Sequence, residues 1–164
     1  MSDDVEHKID FDDEGNIVLK KKVNIKRGST SRASGGQFEL RVRHDLIDKG
    51  WIVDKWSNNV DLENNKVIPA RRVFRRFKAN MGVMTIGTGF PDFISFQLMD
   101  DKYKIVGVEV KMNNKLSREE KIKCAWYLKN KIFSEVWIAS KYKDKNRVMI
   151  KYENFVETYP KFLI

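Results

Sequence analysis

The stretch Val106-Gly107-Val108-Glu109-Val110-Lys111 predicts a β-strand with two unlike faces. Side chains alternate along a strand, so the three valines share one face, which can pack against a helix. Gly107, Glu109 and Lys111 share the other face. The strand therefore presents a carboxylate and an amine side by side above a row of buried valines.

A second acid is predicted to lie opposite this strand. Residues 92–98 and 104–111 indicate two strands joined by a tight turn. If the turn consists of Asp100-Asp101, the numbers of paired residues add up to 201, and Asp92 falls directly opposite Glu109. Side chains of such a pair start only about 4.5–5.5 Å apart at Cβ. Two carboxylates at that distance repel each other unless they share a proton or a divalent cation.

The composition restricts which cation this could be. Cys124 is the only cysteine, and His7 and His44 are the only histidines, which excludes an internal disulfide, a thiolate cluster and a three-histidine site within one chain. The ligands would therefore be oxygen atoms, and Mg²⁺ or Mn²⁺ fits best. The alternative is that Asp92, Glu109 and Lys111 form a surface ion-pair ladder.

The segments around these strands predict one mixed sheet with helices. Phe38, Val42 and Leu46 recur every four residues, which indicates a helix over 37–49 that Gly50 ends. The other predicted elements are strands over 51–56, 83–86, 135–140 and 147–152 and helices over 116–132 and 153–162. This order is typical of an α/β fold with a central mixed β-sheet flanked by helices.

The pattern resembles the PD-(D/E)XK nuclease superfamily, with Pro91-Asp92 and Glu109-Val110-Lys111 at the motif positions. The approach Gly87-Thr88-Gly89-Phe90 and the helix start Leu116-Ser117 are similar to those of archaeal Holliday-junction resolvases and VRR-NUC-type nucleases. The resemblance covers roughly residues 36–152 and implies a restriction-endonuclease-like core of order αβββαβ. VRR-NUC domains often carry a glutamine in the next helix, where this chain has Glu120.

The resemblance also implies roles for the motif residues. Asp92 and Glu109 would bind the divalent ion, with the backbone carbonyl of Val110 as a third oxygen. Lys111 would position or help to deprotonate the attacking water and offset the charge of the phosphate. The expected reaction is hydrolysis of a phosphodiester bond.

Glu39, on the first predicted helix, has two interpretations. By resemblance, its carboxylate completes the metal shell or holds a second ion. From the residues alone, Arg43 stands four positions later and would pair with it on the helix surface. The sequence favours neither.

The charge is unevenly placed along the chain. Residues 1–14 hold seven acids and one base, a net charge of −6, so residues 15–164 carry +15 and the whole chain +9. Residues 15–32 add six bases and no acid. We predict an acidic-then-basic flexible arm over 1–34, followed by a nuclease domain over 35–164. The arm is either a solvated tail or a phosphate-contacting segment.

A basic cluster lies within a predicted insertion at about 57–82. Pro69 is suited to a first helical turn, so we predict a helix after it with bases on one face. Phosphate binding would relieve the repulsion between these bases, which favours a contact with the DNA backbone. Lys115 and Arg118 would extend the contact. The clustered bases are Arg71, Arg72, Arg75, Arg76 and Lys78.

These observations predict a Mg²⁺-dependent endodeoxyribonuclease that acts on duplex or branched DNA as a homodimer. A resolvase-like, structure-selective enzyme is favoured over a restriction enzyme, because the length leaves no room for a separate recognition domain. The alternative is a non-catalytic nucleic-acid-binding protein that keeps the fold. No apolar run reaches the ~18 residues that a membrane span needs, and the N-terminus does not resemble a signal peptide. We therefore expect a cytoplasmic protein without membrane contact.

Overall fold

The computed structural model describes residues 7–11, 16–70, 72–78, 81–86, 89–145 and 147–163, with backbone alone over 72–78 and 81–86. The chain divides into two units, one drawn from residues 1–37 and 71–87 and the other from 38–70 and 88–164. The elements in chain order are β1 (His7–Phe11), β2 (Ile17–Lys21), α1 (Lys22–Asp48), β3 (Ile52–Lys55), β4 (Asn58–Asp61), β5 (Lys66–Pro69), β6 (Arg72–Lys78), β7 (Met81–Ile86), β8 (Phe93–Met99), β9 (Lys102–Lys111), α2 (Arg118–Lys129), β10 (Glu135–Asp144), β11 (Arg147–Asn154) and α3 (Phe155–Thr158), followed by a 3₁₀-helix (Pro160–Phe162).

A five-stranded mixed sheet forms the centre of the second unit. Its strand order is β11-β10-β9-β8-β3. β9 and β10 run parallel, whereas the other neighbours are antiparallel. The parallel pair is joined through α2, as a parallel connection requires. The predicted α/β class with a central mixed sheet is therefore confirmed.

Apolar side chains cover both faces of this sheet. Phe38, Val42 and Leu46 of α1 pack in one cluster with Val106 and Val108 of β9. The predicted packing of the valine row against a helix is thus confirmed. A second cluster on the other face contains the buried side chains of α2 and α3, which are Cys124, Tyr127 and Phe155.

From Phe38 onward α1 buries one face, and α2 buries Cys124 and Tyr127. α1 ends before Gly50, whose φ of +82° suits a glycine that stops a helix. α2 begins after Ser117, whose side chain caps the helix by accepting a hydrogen bond from the N–H of Glu120. Among the helices that the structure describes, none combines the length and the apolar character needed to cross a membrane.

The predicted helix after Pro69 is wrong. β6 pairs antiparallel with β7, with Arg72 opposite Ile86, and Pro69 closes β5. The prediction relied on the helical spacing of the arginines. Valine and phenylalanine also favour a strand, and an apolar strand follows over Met81–Ile86 as a pairing partner. Arg72, Arg75, Arg76 and Lys78 therefore lie on a strand and do not share one face of a helix.

Two further segments carry more regular structure than predicted. Residues 57–68, in the predicted insertion where no strand was expected, contain β4 and most of β5, which pair as a hairpin with Val60 opposite Val67. The predicted arm over 1–34 contains β1, β2 and the start of α1. The α1 helix therefore begins 15 residues before the predicted start at Gln37.

Candidate active site

The β8–β9 hairpin has the predicted register. Met99 pairs with Lys102, so the turn consists of Asp100-Asp101. Both turn residues have positive φ, 45° and 63°, as a two-residue type I′ turn requires. The paired numbers add up to 201 along the whole hairpin. Asp92, one step beyond the last pair, therefore falls across from Glu109.

Asp92 is held at this position through its side chain and its backbone. Its Oδ2 accepts a hydrogen bond from the backbone N–H of Val110 at 2.8 Å. Its carbonyl oxygen accepts from the N–H of Trp56 at 3.1 Å. Burial raises the pKa of Asp92 to about 6, the charge of Glu39 adds to this, and the Val110 hydrogen bond opposes it. The carboxylate is thus held in place, but burial and the nearby charge of Glu39 disfavour its charged form.

Glu109 is the most deeply buried acid of the site, with 4% of its surface exposed. Its Oε1 contacts the Lys111 ammonium at 2.8 Å. Its Oε2 is buried and has no hydrogen-bond partner among the described residues. Burial raises the pKa of Glu109 to about 8 and the charge of Asp92 adds to this, although Lys111 opposes the shift. Burial therefore disfavours the charged form of Glu109 unless a cation offsets its charge.

Lys111 lies between two carboxylates. Its Nζ is 2.8 Å from Glu109 Oε1 and 2.7 Å from Glu120 Oε1. Burial by itself would lower the pKa of Lys111, but the two carboxylates raise the pKa above its ordinary value. The side chain is consequently an ammonium ion at physiological pH.

Glu120, which the sequence analysis noted only as standing where VRR-NUC domains often carry a glutamine, is also a member of the site. Its Oε2 accepts from the N–H of Ser117 at 2.7 Å, and its own N–H donates to Ser117 Oγ at 3.2 Å. Burial tends to raise the pKa of Glu120, but hydrogen bonds from Lys111 and Ser117 lower it overall. The Ser-x-x-Glu spacing of a capping box could have placed this residue at the start of α2.

The loop before Asp92 depends on a close approach of two backbone segments. A Cβ on Gly89 would lie 1.8 Å from the carbonyl oxygen of Trp56, so only glycine fits here. The carbonyl of Phe90 accepts a hydrogen bond from the buried Tyr127 hydroxyl at 2.7 Å. The loop is thereby tied to β3 on one side and to α2 on the other.

These side chains line a cavity of about 410 Å³. Glu39 lines it too, and its charge raises the pKa of Asp92. Arg43, the alternative partner of Glu39, donates to the carbonyl of Val53 at 3.5 Å. The structure therefore brings together all the predicted catalytic and metal-binding residues. They are Asp92, Glu109, Lys111, Glu39 and Val110.

The predicted nucleic-acid contacts belong to two different parts of the chain. Arg72, Arg75, Arg76 and Lys78 belong to β6, where the structure describes the backbone alone. Arg71 lies outside the described residues. Lys115 and Arg118 are exposed and flank the helix start near Ser117, which lines the cavity. Of the predicted set, these two are placed beside the acidic site.

The donor set fits a hard divalent cation. Carboxylates of Glu39, Asp92 and Glu109 and the backbone of Val110 line one cavity, and oxygen is the ligand that Mg²⁺ and Mn²⁺ prefer. The unpartnered Oε2 of Glu109 is an available ligand atom. A cation would also offset the repulsion between the two acids. Within the described residues, however, no three His, Cys, Asp or Glu side chains are already arranged as a metal-binding group.

Comparison of the chain with protein-family models, with curated proteins and with solved structures finds no match.

Proposed function

We propose that this chain is a metal-dependent endonuclease that hydrolyses phosphodiester bonds in DNA. The observation that carries the proposal is the burial of Asp92 and Glu109 across from each other, beside Lys111, on the wall of a polar cavity. Burying two acids together is costly unless a cation offsets their charge. A chain with a net positive charge that buries two carboxylates at an open cavity is suited to binding a metal ion together with a phosphate.

In this proposal, one set of residues would hold the metal ion and Lys111 would offset the negative charge of the phosphate. Asp92, Glu109, the carbonyl of Val110 and Glu39 would hold Mg²⁺ or Mn²⁺. When bound, such an ion polarises a phosphoryl oxygen and lowers the pKa of a bound water. Lys111 keeps its proton because two carboxylates stabilise the ammonium form. It would therefore stabilise negative charge on the phosphate rather than act as a base.

The finer proposal concerns the substrate and the oligomer. The motif resemblance favours a resolvase-like enzyme that is selective for branched DNA. Because a four-way junction presents two symmetric cuts, we propose a homodimer. Light scattering after size exclusion tests the dimer, and the ratio of cutting rates on junction and linear duplex tests the selectivity.

One observation favours the alternative, a nucleic-acid-binding protein without activity. Lys111 already forms ion pairs with Glu109 and Glu120, which partly compensates the acids without a metal ion. A protein of this kind would bind DNA tightly and cut none of it. Its DNA affinity would also be independent of Mg²⁺ and Mn²⁺.

The deciding experiment compares wild type with Glu109→Gln on duplex, single-stranded and four-way-junction DNA, with Mg²⁺, Mn²⁺ or EDTA. Glu157→Gln, an exposed acid of α3, is the matched control. We expect cutting by wild type and by the control with either metal, and a loss of at least about 100-fold in Glu109→Gln. Equal cutting by all three proteins would overturn the site. Binding without cutting under every metal condition would favour the alternative.

A further inference from the structure

The β10–β11 hairpin continues past the end of the active strand. Ser140 of β10 pairs with Lys111, the last residue of β9. Beyond this pair, Lys141–Asp144 continue to pair with Arg147–Ile150 of β11. At about 3.3 Å per residue, these four residues extend a two-stranded ribbon roughly 13 Å beyond Lys111. We call residues 141–150 the ribbon.

One face of the ribbon continues the face of the sheet that carries the site. Directly paired residues of neighbouring strands point to the same face, so Ser140 shares the face of Lys111. Tyr142, two residues on, returns to that face together with its cross-strand partner Met149. Their side chains are 46% and 42% exposed. An exposed aromatic and thioether pair therefore lies next to the active site along the sheet.

The ribbon also carries several cations, and their partners can be compared within the described residues. Its single acid is Asp144, which lies opposite Arg147. Within the part of the chain that the structure describes, none of the four ribbon cations forms an ion pair. These cations are Lys141, Lys143, Lys145 and Arg147.

Hydrogen bonds link the ribbon and the residues just below it to other parts of the second unit. Arg41 of α1 donates through Nη2 to the carbonyl of Val148 at 2.9 Å. Just below the ribbon, Glu153 accepts from Lys151 at 2.8 Å and from Asn114, in the turn after β9, at 2.5 Å. The ribbon is therefore held in a defined position relative to Lys111.

We propose that the ribbon is a DNA-binding surface that holds the substrate strand as it runs past the active site, an inference that rests on the proposed nuclease function. Arg147, whose partner Asp144 shares the face of Tyr142, and Lys145 in the turn contact backbone phosphates, and Tyr142 with Met149 contacts a base or sugar. Lys141 and Lys143 alternate to the opposite face and are not part of this contact. A two-stranded ribbon fits the major groove of duplex DNA, which is about 12 Å wide. An exposed tyrosine can equally stack on an unpaired base. Both forms present the same phosphates, so the test includes both.

The test measures DNA affinity at 50–200 mM salt in EDTA, where no cutting occurs, for a duplex and for a single strand. The ribbon variant combines Lys145→Gln and Arg147→Gln. The matched control combines Lys129→Gln and Lys131→Gln, two exposed lysines at and just after the end of α2. If the ribbon contacts phosphates, the slope of log K against log salt decreases in magnitude by about 1.5–2 in the ribbon variant and stays at the wild-type value in the control. Equal slopes in the two variants would overturn the proposal.

Tyr142 gives a second, independent readout. Tyr142→Ala should weaken binding of the single strand by about tenfold, whereas Tyr142→Phe keeps the ring and should bind as wild type. If Tyr142→Ala bound both DNA forms as tightly as the wild type, the proposed contact of Tyr142 and Met149 with DNA would be wrong. Because the side chain is exposed, neither substitution should affect folding.

The outcomes separate this proposal from the nuclease proposal. Cutting by wild type together with an unchanged salt slope in the ribbon variant would reject the ribbon alone. A reduced slope together with no cutting under Mg²⁺ or Mn²⁺ would keep the ribbon as a binding surface and reject the nuclease.

Discussion

Glu120 joins the start of α2 to the active strand through its two carboxylate oxygens. One oxygen accepts from the N–H of Ser117 and completes the capping box, and the other accepts from Lys111. The same residue therefore helps to fix where the helix begins and where the ammonium lies. Without it, Lys111 would have Glu109 as its remaining ion-pair partner at the site.

Replacing Glu120 with glutamine tests this double role. The amide has one acceptor oxygen, so it can serve the helix start or Lys111 but not both, and it carries no charge. We expect kcat to fall by about tenfold, and the free energy of unfolding to fall by about 1 kcal/mol. Steady-state cleavage kinetics and chemical denaturation measure the two effects.

Ser117→Ala is the matched variant, because it removes the hydroxyl of the same capping box and leaves the Glu120–Lys111 ion pair. It should lose a similar free energy of unfolding, about 1 kcal/mol, while kcat stays near the wild-type value. An equal fall of kcat in both variants would mean that Glu120 acts through the helix start and not through Lys111.

Gly89 is where the loop that carries Asp92 meets the end of β3. Because a Cβ would lie 1.8 Å from the carbonyl oxygen of Trp56, Gly89→Ala must push the two backbone segments apart. We expect a loss of about 1–3 kcal/mol in the free energy of unfolding, as for an overpacked core, and a fall in metal-dependent cutting because Asp92 moves with the loop. A variant with wild-type stability and activity would show that the two segments are not packed this closely.

Gly36 lies in the stretch of α1 that precedes the predicted helix, and it tests how far the helix extends. Apart from its chain neighbours and the backbone of its own helix, no atom of the described residues lies within 4 Å of the position of its missing Cβ. In a helix interior, Gly36→Ala should raise the free energy of unfolding by about 0.5–1 kcal/mol and increase the helical signal in circular dichroism. No change in either measurement would indicate that the helix starts after this residue, as the sequence predicted.

The elements that the sequence did not predict contain residues whose intrinsic helix or strand preferences disagree with the structure that they form. Residues 28–36 contain three glycines and several serines, which favour coil over helix, so the first half of α1 was predicted as part of an arm. After Pro69, the arginines have helical spacing while the valine and phenylalanines favour a strand. In both segments, the outcome depends on pairing and packing partners that are distant in sequence.

At the scale of the whole molecule, the candidate site could be predicted where local geometry defines it. A two-residue turn and the alternation of side chains were enough to place Asp92 across from Glu109. The position of Glu120 beside Lys111, and that of the β4–β5 hairpin along the loop before Asp92, depend on how separate elements pack. Sequence periodicity contains no information on such contacts.

The two buried acids should make the stability of the metal-free protein fall as the pH rises. The pKa of Glu109 is raised to about 8 and that of Asp92 to about 6, so the folded state holds protons that the unfolded state has released. The stability is therefore fully present below the ordinary pKa values and is lost as the pH rises to about 8. We expect the Tm in EDTA to fall between pH 5 and pH 8.5, and Glu109→Gln, which cannot ionise, to show a much flatter profile. Parallel profiles of the two proteins would contradict the raised pKa of Glu109.

Binding of a divalent cation should remove this pH dependence, because the ion takes the place of the proton on the carboxylates. A ligand that binds the folded state stabilises it by RT ln(1 + [L]/Kd), and competition with protons weakens the affinity at low pH. Saturating Mg²⁺ should therefore raise the Tm of the wild-type protein more at pH 8.5 than at pH 5.5. Glu109→Gln keeps the shape of the side chain but lacks the charge, so Mg²⁺ should leave its Tm almost unchanged at both pH values. If Mg²⁺ stabilised the two proteins equally, the ion would be binding elsewhere, and the raised pKa values of Asp92 and Glu109 would reflect a buried proton and not a metal site.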